Sequence, residues 1–372
     1  MTEWREEKLE NIFCIVKEVF KPSNEQQFKY IGLEHIEQGS LRLNGWGYSN
    51  SVQSNKYFYK KDDVLFGKLR PYFRKIIKAP FDGVCSTDIW VCRAKNNFDQ
   101  NFLFYFLANQ EFVDTANSTD EGTRMPRADW NFLKKTIWNI PPLPEQKAIA
   151  EVLSSLDDKI DLLTRQNKTL EDLAQAYFRK WFIEDIHNKI CYKRFADVAE
   201  FSKGKKPREI IEEQRKGYVR QILIDTFDTD KEYYTRPEGM IISTETDILM
   251  VMDGASSGRV EIGFSGVVGS TIGMFRPKSD FKYPMFLYEF LKSNEEFIMD
   301  NTTGSAIPHA DKKLIFELEI PYFQEEKIQE FENFALVLFN KRQNNRRQIR
   351  TLTKLRDTLL PKLISGEIRV KM

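Results

Sequence analysis

Binding phosphate takes positive charge at fixed points, and this 372-residue sequence concentrates such charge in a few short runs. Lys68-Leu-Arg70-Pro-Tyr72-Phe-Arg74-Lys75-Ile-Ile-Lys78 carries five cations and no anion, and Arg124 and Arg127 add two more in a later loop. Lys203-Gly-Lys205-Lys206-Pro-Arg208 and Gly254-Ala-Ser256-Ser257-Gly-Arg259 form a second set, the latter offering small hydroxyls and bare backbone that allow close approach. Arg and Lys neutralise phosphates, while Arg, Ser, Thr, Asn and Gln can read base edges in the major groove. The candidate contacts to nucleic acid are therefore Lys68, Arg70, Arg74, Lys75, Arg124, Arg127, Lys203, Lys205, Lys206, Ser256, Ser257 and Arg259, with His309 joined to them by a repeat set out below. A basic run also serves as an ordinary solvated face, so position in the fold has to decide. Net charge does not: 56 Lys and Arg stand against 55 Asp and Glu, giving +1.

Catalytic signatures are missing. There is no GxxxxGK[ST], HExxH, GxSxG or dinucleotide fingerprint, and Gly45-Trp-Gly47 is a lone GxG with no following helix. Asn139-Ile-Pro141-Pro142 superficially resembles the Asn-Pro-Pro-aromatic motif of amino-methyltransferases, but Ile140 breaks the Asn-Pro adjacency and Leu143 replaces the stacking aromatic. It reads as a proline stop before a helix. His35, His187 and His309 have no carboxylate or cysteine at ligand spacing, so neither a metal site nor a catalytic residue is expected. Cys14, Cys85, Cys92 and Cys191 include no CxxC pair, and three of them lie in apolar stretches typical of reduced core thiols. No stretch approaches a membrane span, and the charged segment from Met1 to Leu9 is unlike a signal peptide, which points to a cytoplasmic protein.

The elements that must position these residues come as a repeat of about 180 residues, a duplication of whole domains. Asp63-Val-Leu-Phe answers Asp247-Ile-Leu-Met, Ser86-Thr87 answers Ser270-Thr271, and an aromatic helix follows each, over 102–112 and 286–297. Gly122-Thr-Arg-Met-Pro126-Arg-Ala-Asp129 then matches Gly304-Ser-Ala-Ile-Pro308-His-Ala-Asp311, which places His309 at the position of Arg127. Short apolar runs at 64–69, 89–92, 248–251 and 271–275 predict strands. After Pro144, Ile149, Leu153, Leu156, Ile160, Leu163, Leu170, Ala174, Tyr177 and Trp181 fall at alternating steps of four and three, with Asn167 at the vacant position. The second long helix carries Ile328, Phe331, Ala335, Leu338, Ile349, Leu352, Leu359 and Leu363, with Arg342, Asn345 and Arg356 between them, and stops near Gly366. Both are heptad seams, in which a buried Asn fixes register. Chain continuity makes the helices antiparallel, with Glu151, Asp157, Asp158 and Asp161 opposite the basic stripe at 341–356. The predicted fold is α+β: two mixed α/β domains at 1–140 and 187–320, separated in a dumbbell by long antiparallel coiled-coil helices at 141–186 and 321–366 with pseudo-twofold symmetry. A last segment, 367–372, either docks on the first domain through a short strand at Ile368-Arg-Val370 or is a frayed tail.

At this point the sequence resembles the specificity subunit of type I restriction-modification systems. The lines carrying the resemblance are Asp63-Val-Leu-Phe-Gly-Lys-Leu-Arg-Pro-Tyr-Phe-Arg, Gly83-Val-Cys-Ser-Thr-Asp, the octapeptide from Gly122, Ile140-Pro-Pro-Leu-Pro-Glu-Gln-Lys-Ala-Ile-Ala, and Asp247-Ile-Leu-Met-Val-Met-Asp-Gly-Ala-Ser-Ser-Gly-Arg-Val. It implies two target recognition domains, each reading one half of a bipartite duplex DNA site, with the helices setting the gap. It further implies methyltransferase subunits that bring S-adenosylmethionine and restriction subunits that bring ATP and Mg, while this chain holds no cofactor and catalyses nothing. The second copy departs from the pattern at Pro321-Tyr-Phe-Gln-Glu-Glu-Lys. The competing readings are a self-contained DNA-modifying enzyme and a spacer protein with protein-binding globules.

Overall fold

The computed structural model describes residues 3–22, 27–118, 125–184, 191–229, 231–304, 306–322 and 325–370. The chain divides into two units, Met1–Ile160 with Thr351–Met372 and Asp161–Arg350. Two long helices, Leu143–Arg179 and Glu325–Ser365, each give part of their length to both units, and the first is prolonged by a wider turn over Lys180–Glu184. The first starts after Pro141-Pro142, because a proline has no N–H to give a helix interior and suits a helix start. The expected end of that spacer at 186 falls outside the described residues.

Each unit folds around a four-stranded antiparallel sheet. In unit 1 its order is Phe13–Val16, Ile89–Ala94, Val64–Gly67, Ile76–Lys78; in unit 2 it is Ala199–Lys203, Ile272–Pro277, Ile248–Val251, Val260–Ile262. The strands at the centre of each, Val64–Gly67 and Ile248–Val251, are buried along their whole length, as expected of apolar runs covered on both faces. A second sheet, of five strands in unit 1 and four in unit 2, contains one parallel pair, Tyr30 with Val84 and Gln221 with Val267. A two-stranded ladder closes each base: Arg5–Lys8 on Ile137–Ile140, and Cys191–Arg194 on Glu319–Tyr322.

Several sequence expectations shift in detail. The aromatic helices are each two, Gln100–Ala108 with Gln110–Asn117, and Pro284–Ser293 with Glu295–Asp300. The first breaks at Asn109, whose backbone is extended (ψ 139°) and cannot continue a helix. Cys85 and Cys92 are buried, but Cys14, on the side of its strand opposite buried Phe13, is exposed, and so is Cys191, whose strand has no buried residue. The sheet register pairs Gly67 with Ile89 and Val251 with Ile272, so the residue equivalent to Asp88 is Thr271, one place off the match drawn from sequence.

Within each unit the two long helices run antiparallel. In unit 1, Ile149, Ala150 and Leu153 share a core with Leu360, Leu363 and Ile364. In unit 2, the Tyr177 and Phe334 rings pack at a tilt with centroids 4.7 Å apart, and Asn345 Nδ2 donates to Gln166 Oε1 (2.8 Å) and Asn167 Oδ1 (3.0 Å). Ile160 and Leu163 are buried; Leu156, Asn167, Leu170, Leu338, Ile349, Leu352 and Leu359 are half-buried. The correction lies toward the helix ends, where Phe178, Phe182, Phe339 and Leu360 are buried in place of Tyr177, Trp181, Leu338 and Leu359. A straight helix drifts about 20° per heptad against a strict seven-residue repeat, and the domain cores capture the residues one place further on.

The C-terminal segment lies on unit 1, though not as a strand. Arg369 Nε and Nη2 donate to Glu145 Oε1 and Oε2 at 2.5 and 2.6 Å, the guanidinium sits 5.5 Å from the Trp4 ring, and Val370 packs against the unit 1 core. Gly366 turns the chain at φ +79°, letting the Ile368 N–H bond the Lys362 carbonyl.

Candidate nucleic-acid interface

The repeated octapeptide is held in the same way in both units. In unit 1 the Arg70 N–H donates to the Pro126 carbonyl (2.7 Å) and the Ala128 N–H to the Lys68 carbonyl (2.9 Å). In unit 2 the Gly254 N–H donates to Pro308 (3.0 Å) and the Ala310 N–H to Met252 (2.9 Å). Asp129 and Asp311 then cap the short helices that follow, each accepting a backbone N–H two residues on. Residues 122–124 of the first copy, Arg124 among them, lie outside the described residues. The pairing equates Arg70 with Gly254, and both take positive φ, +51° and +114°. Glycine does so freely, whereas arginine pays for it, so the first copy retains a side chain at a strained position.

The edge strands add a further equivalence. Phe13 pairs Ala94 and Ala199 pairs Pro277 at the same register, so Lys17, four residues past Phe13, corresponds to Lys203. Each unit thus gathers basic side chains around one acid. In unit 2, Asp253 receives Lys203 Nζ on Oδ2 and His309 Nδ1 on Oδ1, both at 2.8 Å. Burial pushes the Asp253 carboxyl up, but those hydrogen bonds and charges outweigh it and hold the group below the usual carboxylate range. In unit 1, Arg127 Nε lies 3.4 Å from Asp88 Oδ1. Burial lowers the Lys68 ammonium from its ordinary value, Asp88 opposes this, and Arg127 and Lys17 lower it further, which places all four charges within interaction range. The acid comes from non-equivalent positions in the two units, while Lys17 and Lys203 coincide, as do Arg127 and His309.

Other candidates divide. Lys206 and Lys205 are exposed, the latter bonded to the Gly239 carbonyl at 3.0 Å, and Ser256 is half-buried. Ser257 needs correction: it is buried, and its hydroxyl lies on the carbonyls of Met252, Gly254 and Pro308, so it ties the loop together and cannot read a base. Arg259 also needs correction, because Asp228 takes it bidentately at 2.8 Å and Glu261 accepts from Nε and Nη2, raising its already high pKa. Arg74 turns inward. Burial lowers its pKa, and Asp357, Arg356 and Asp157 are the charges that act on it. Lys75 Nζ is spent on the Leu33 carbonyl at 2.5 Å.

Sequence reasoning missed Lys17, Asp88, Asp253 and an aromatic group in unit 1. Trp46, in the lone Gly45-Trp-Gly47, is about half-exposed and stacks edge-on with Phe81, while Lys29 Nζ lies 4.6 Å from the first ring and 4.2 Å from the second. Only strand pairing brings these residues together. Among the described residues no group of three His, Cys, Asp or Glu could hold a metal ion, and no helix is long and apolar enough to cross a membrane.

A family model described as the type I restriction modification DNA specificity domain matches residues 1–172 and 188–345. The chain is 27% identical over 331 residues to the type I restriction enzyme MjaIX specificity subunit of Methanocaldococcus jannaschii, covering 80% of this chain and 72% of that protein. It is 25% identical over 401 residues to the HindI specificity subunit of Haemophilus influenzae, covering 83% and 87%. The crystal structure of a type I restriction-modification S subunit from M. genitalium has the same fold, with a TM-score of 0.62 and 18% identity over 99% of this chain and 96% of that one.

Proposed function

The chain belongs to the family of type I restriction-modification DNA specificity subunits, and from that premise we propose that its two domains each read one half of a bipartite duplex target. The observation carrying this is the duplicated octapeptide, fixed by the same pair of backbone hydrogen bonds beside a group of basic side chains in each unit. Two equivalent basic surfaces on one chain suit two separate contacts with a polyanion. The chain itself transfers no group and holds no cofactor; it recruits methyltransferase subunits that supply S-adenosylmethionine and restriction subunits that supply ATP and Mg, and it works in the cytoplasm.

A methylation map of cells with and without this chain tests the reading, alongside mobility shift of duplex DNA by the chain alone and with its methyltransferase subunit. A two-part motif methylated only when the chain is present is the expected result. Methyl transfer by the purified chain alone, or a motif that survives its deletion, would overturn it.

A further inference from the structure

Two domains that read different sequences still share one task, which is to hold the duplex in register. Phosphate contacts do this without regard to base identity, and base contacts supply the choice. Residues that coincide in both domains suit the shared task. Lys17 and Lys203 coincide by strand register, Arg127 and His309 by the hydrogen-bonded octapeptide, and all four are exposed on their units. What differs between the copies is the acid, Asp88 in one and Asp253 in the other, drawn from different strand ends. A lysine and a second hydrogen-bond donor kept at equivalent places while their acid moves indicate that the donors, not the ion pair, are the common feature.

We propose that Lys17 with Arg127, and Lys203 with His309, are equivalent clamps for the phosphodiester backbone, one per domain, and that they grip DNA without reading it. This rests on the DNA-recognition reading above. In the free protein Asp253 holds both Lys203 and His309, and Asp88 holds Arg127, and a phosphate oxygen takes over as acceptor when the duplex arrives. Equivalent side chains then set the two domains on the duplex in the same manner, leaving base readout to residues that the copies do not share.

The test uses the full chain reconstituted with its methyltransferase subunit, with affinity for a target duplex and a scrambled duplex measured from about 50 to about 200 mM salt. Lys17→Ala, Arg127→Ala and Lys203→Ala should each flatten the slope of log affinity against log salt by about 0.9 on both duplexes, the counterion release of one phosphate contact. Lys17→Ala combined with Arg127→Ala should flatten it by about twice that, and the methylated motif in cells should stay the same for every variant. A slope unchanged in variants that keep the wild-type melting temperature overturns the clamp, as does a motif altered at one half-site, since the residue would then be a base reader. Failure of the wild-type complex to bind either duplex overturns the DNA-recognition reading itself, whereas tight wild-type binding with an unchanged slope in the variants overturns the clamp alone.

Discussion

Glu289, on the buried face of Pro284–Ser293, has one carboxylate oxygen without a hydrogen-bond partner. Burial pushes its pKa up to about 8, Arg342 and Lys292 pull it back, and Glu171 adds to the rise. The folded chain therefore holds this proton more tightly than the unfolded chain, where a Glu titrates near ~4.3. Its contribution to stability is complete below the unfolded value and is lost as pH climbs through the folded one. Glu289→Gln keeps the shape and removes the titration, so its stability relative to wild type should improve between about pH 5 and about pH 9, by at least ~1 kcal/mol, given ~1.4 kcal/mol per unit. Urea denaturation at the two pH values reads this, and a difference that does not change with pH would refute it. A second residue-scale device recurs in both units: Arg93 grips Asp63 and Arg276 grips Asp247, each through Nε and one terminal nitrogen. The acids are almost fully buried and the arginines about half-exposed, so removing the arginine strands a buried charge. Arg93→Ala and Arg276→Ala should each cost ~3 kcal/mol in the unit concerned, as seen by denaturation of each full-length variant. Asp63 and Asp247 were legible as repeat landmarks, but their partners lie about thirty residues on and appear only once the strands pair.

The long helices were the most legible elements, because a heptad pattern is local and sustained. What the pattern could not show was where the domain cores would displace the seam, as at Phe178 and Leu360. Nor did it show what the basic stripe of the second helix would meet. Arg356 pairs with Asp157 and Arg342 with Glu171, as opposite charges on antiparallel helices should. Arg347, Arg350 and Arg346 instead reach Glu245, Glu232 and the Ile262 carbonyl, all on the globular part of unit 2. Asn345, fully buried, carries the polar layer with Gln166 and Asn167. Replacing both partners of a buried hydrogen bond by apolar groups is neutral or stabilising, whereas one alone leaves a polar group stranded. Asn345→Leu with Asn167→Leu should therefore raise the unfolding free energy read by urea denaturation by ~0.5–1.5 kcal/mol, and Asn345→Leu alone should gain less. A double variant less stable than either single one would show that the layer holds the helices together and does more than set their register.

For the whole molecule, the duplication was plain in the sequence, while the basic clusters were not, since Lys17 carries no motif and Asp88, though it ends the Gly83-Val-Cys-Ser-Thr-Asp line, is placed beside Arg127 only by the fold. The duplication makes exchange of one domain feasible if the cut respects the closing ladder: Cys191–Arg194 pairs with Glu319–Tyr322, so residues 191–322 must move together. The chimera is expected to change one half of the methylated motif, and a change in both halves would refute separate reading. Both long helices pass from one unit into the other without a break, so under the proposed bipartite reading their length sets the gap between half-sites. Adding one heptad to each, at matched positions that keep the seam in register, lengthens them by ~10 Å at ~1.5 Å per residue. At ~3.4 Å per base pair that is ~3 base pairs. Those extra pairs also turn one half-site by about a third of a turn, at ~10 base pairs per turn, and the supercoil of the helices does not cancel so large a rotation. The variant should therefore methylate the same two half-sites across a longer gap, or lose binding. A methylation map showing the original spacing, from a variant that melts like wild type, would mean that the partner subunits and not these helices fix the distance.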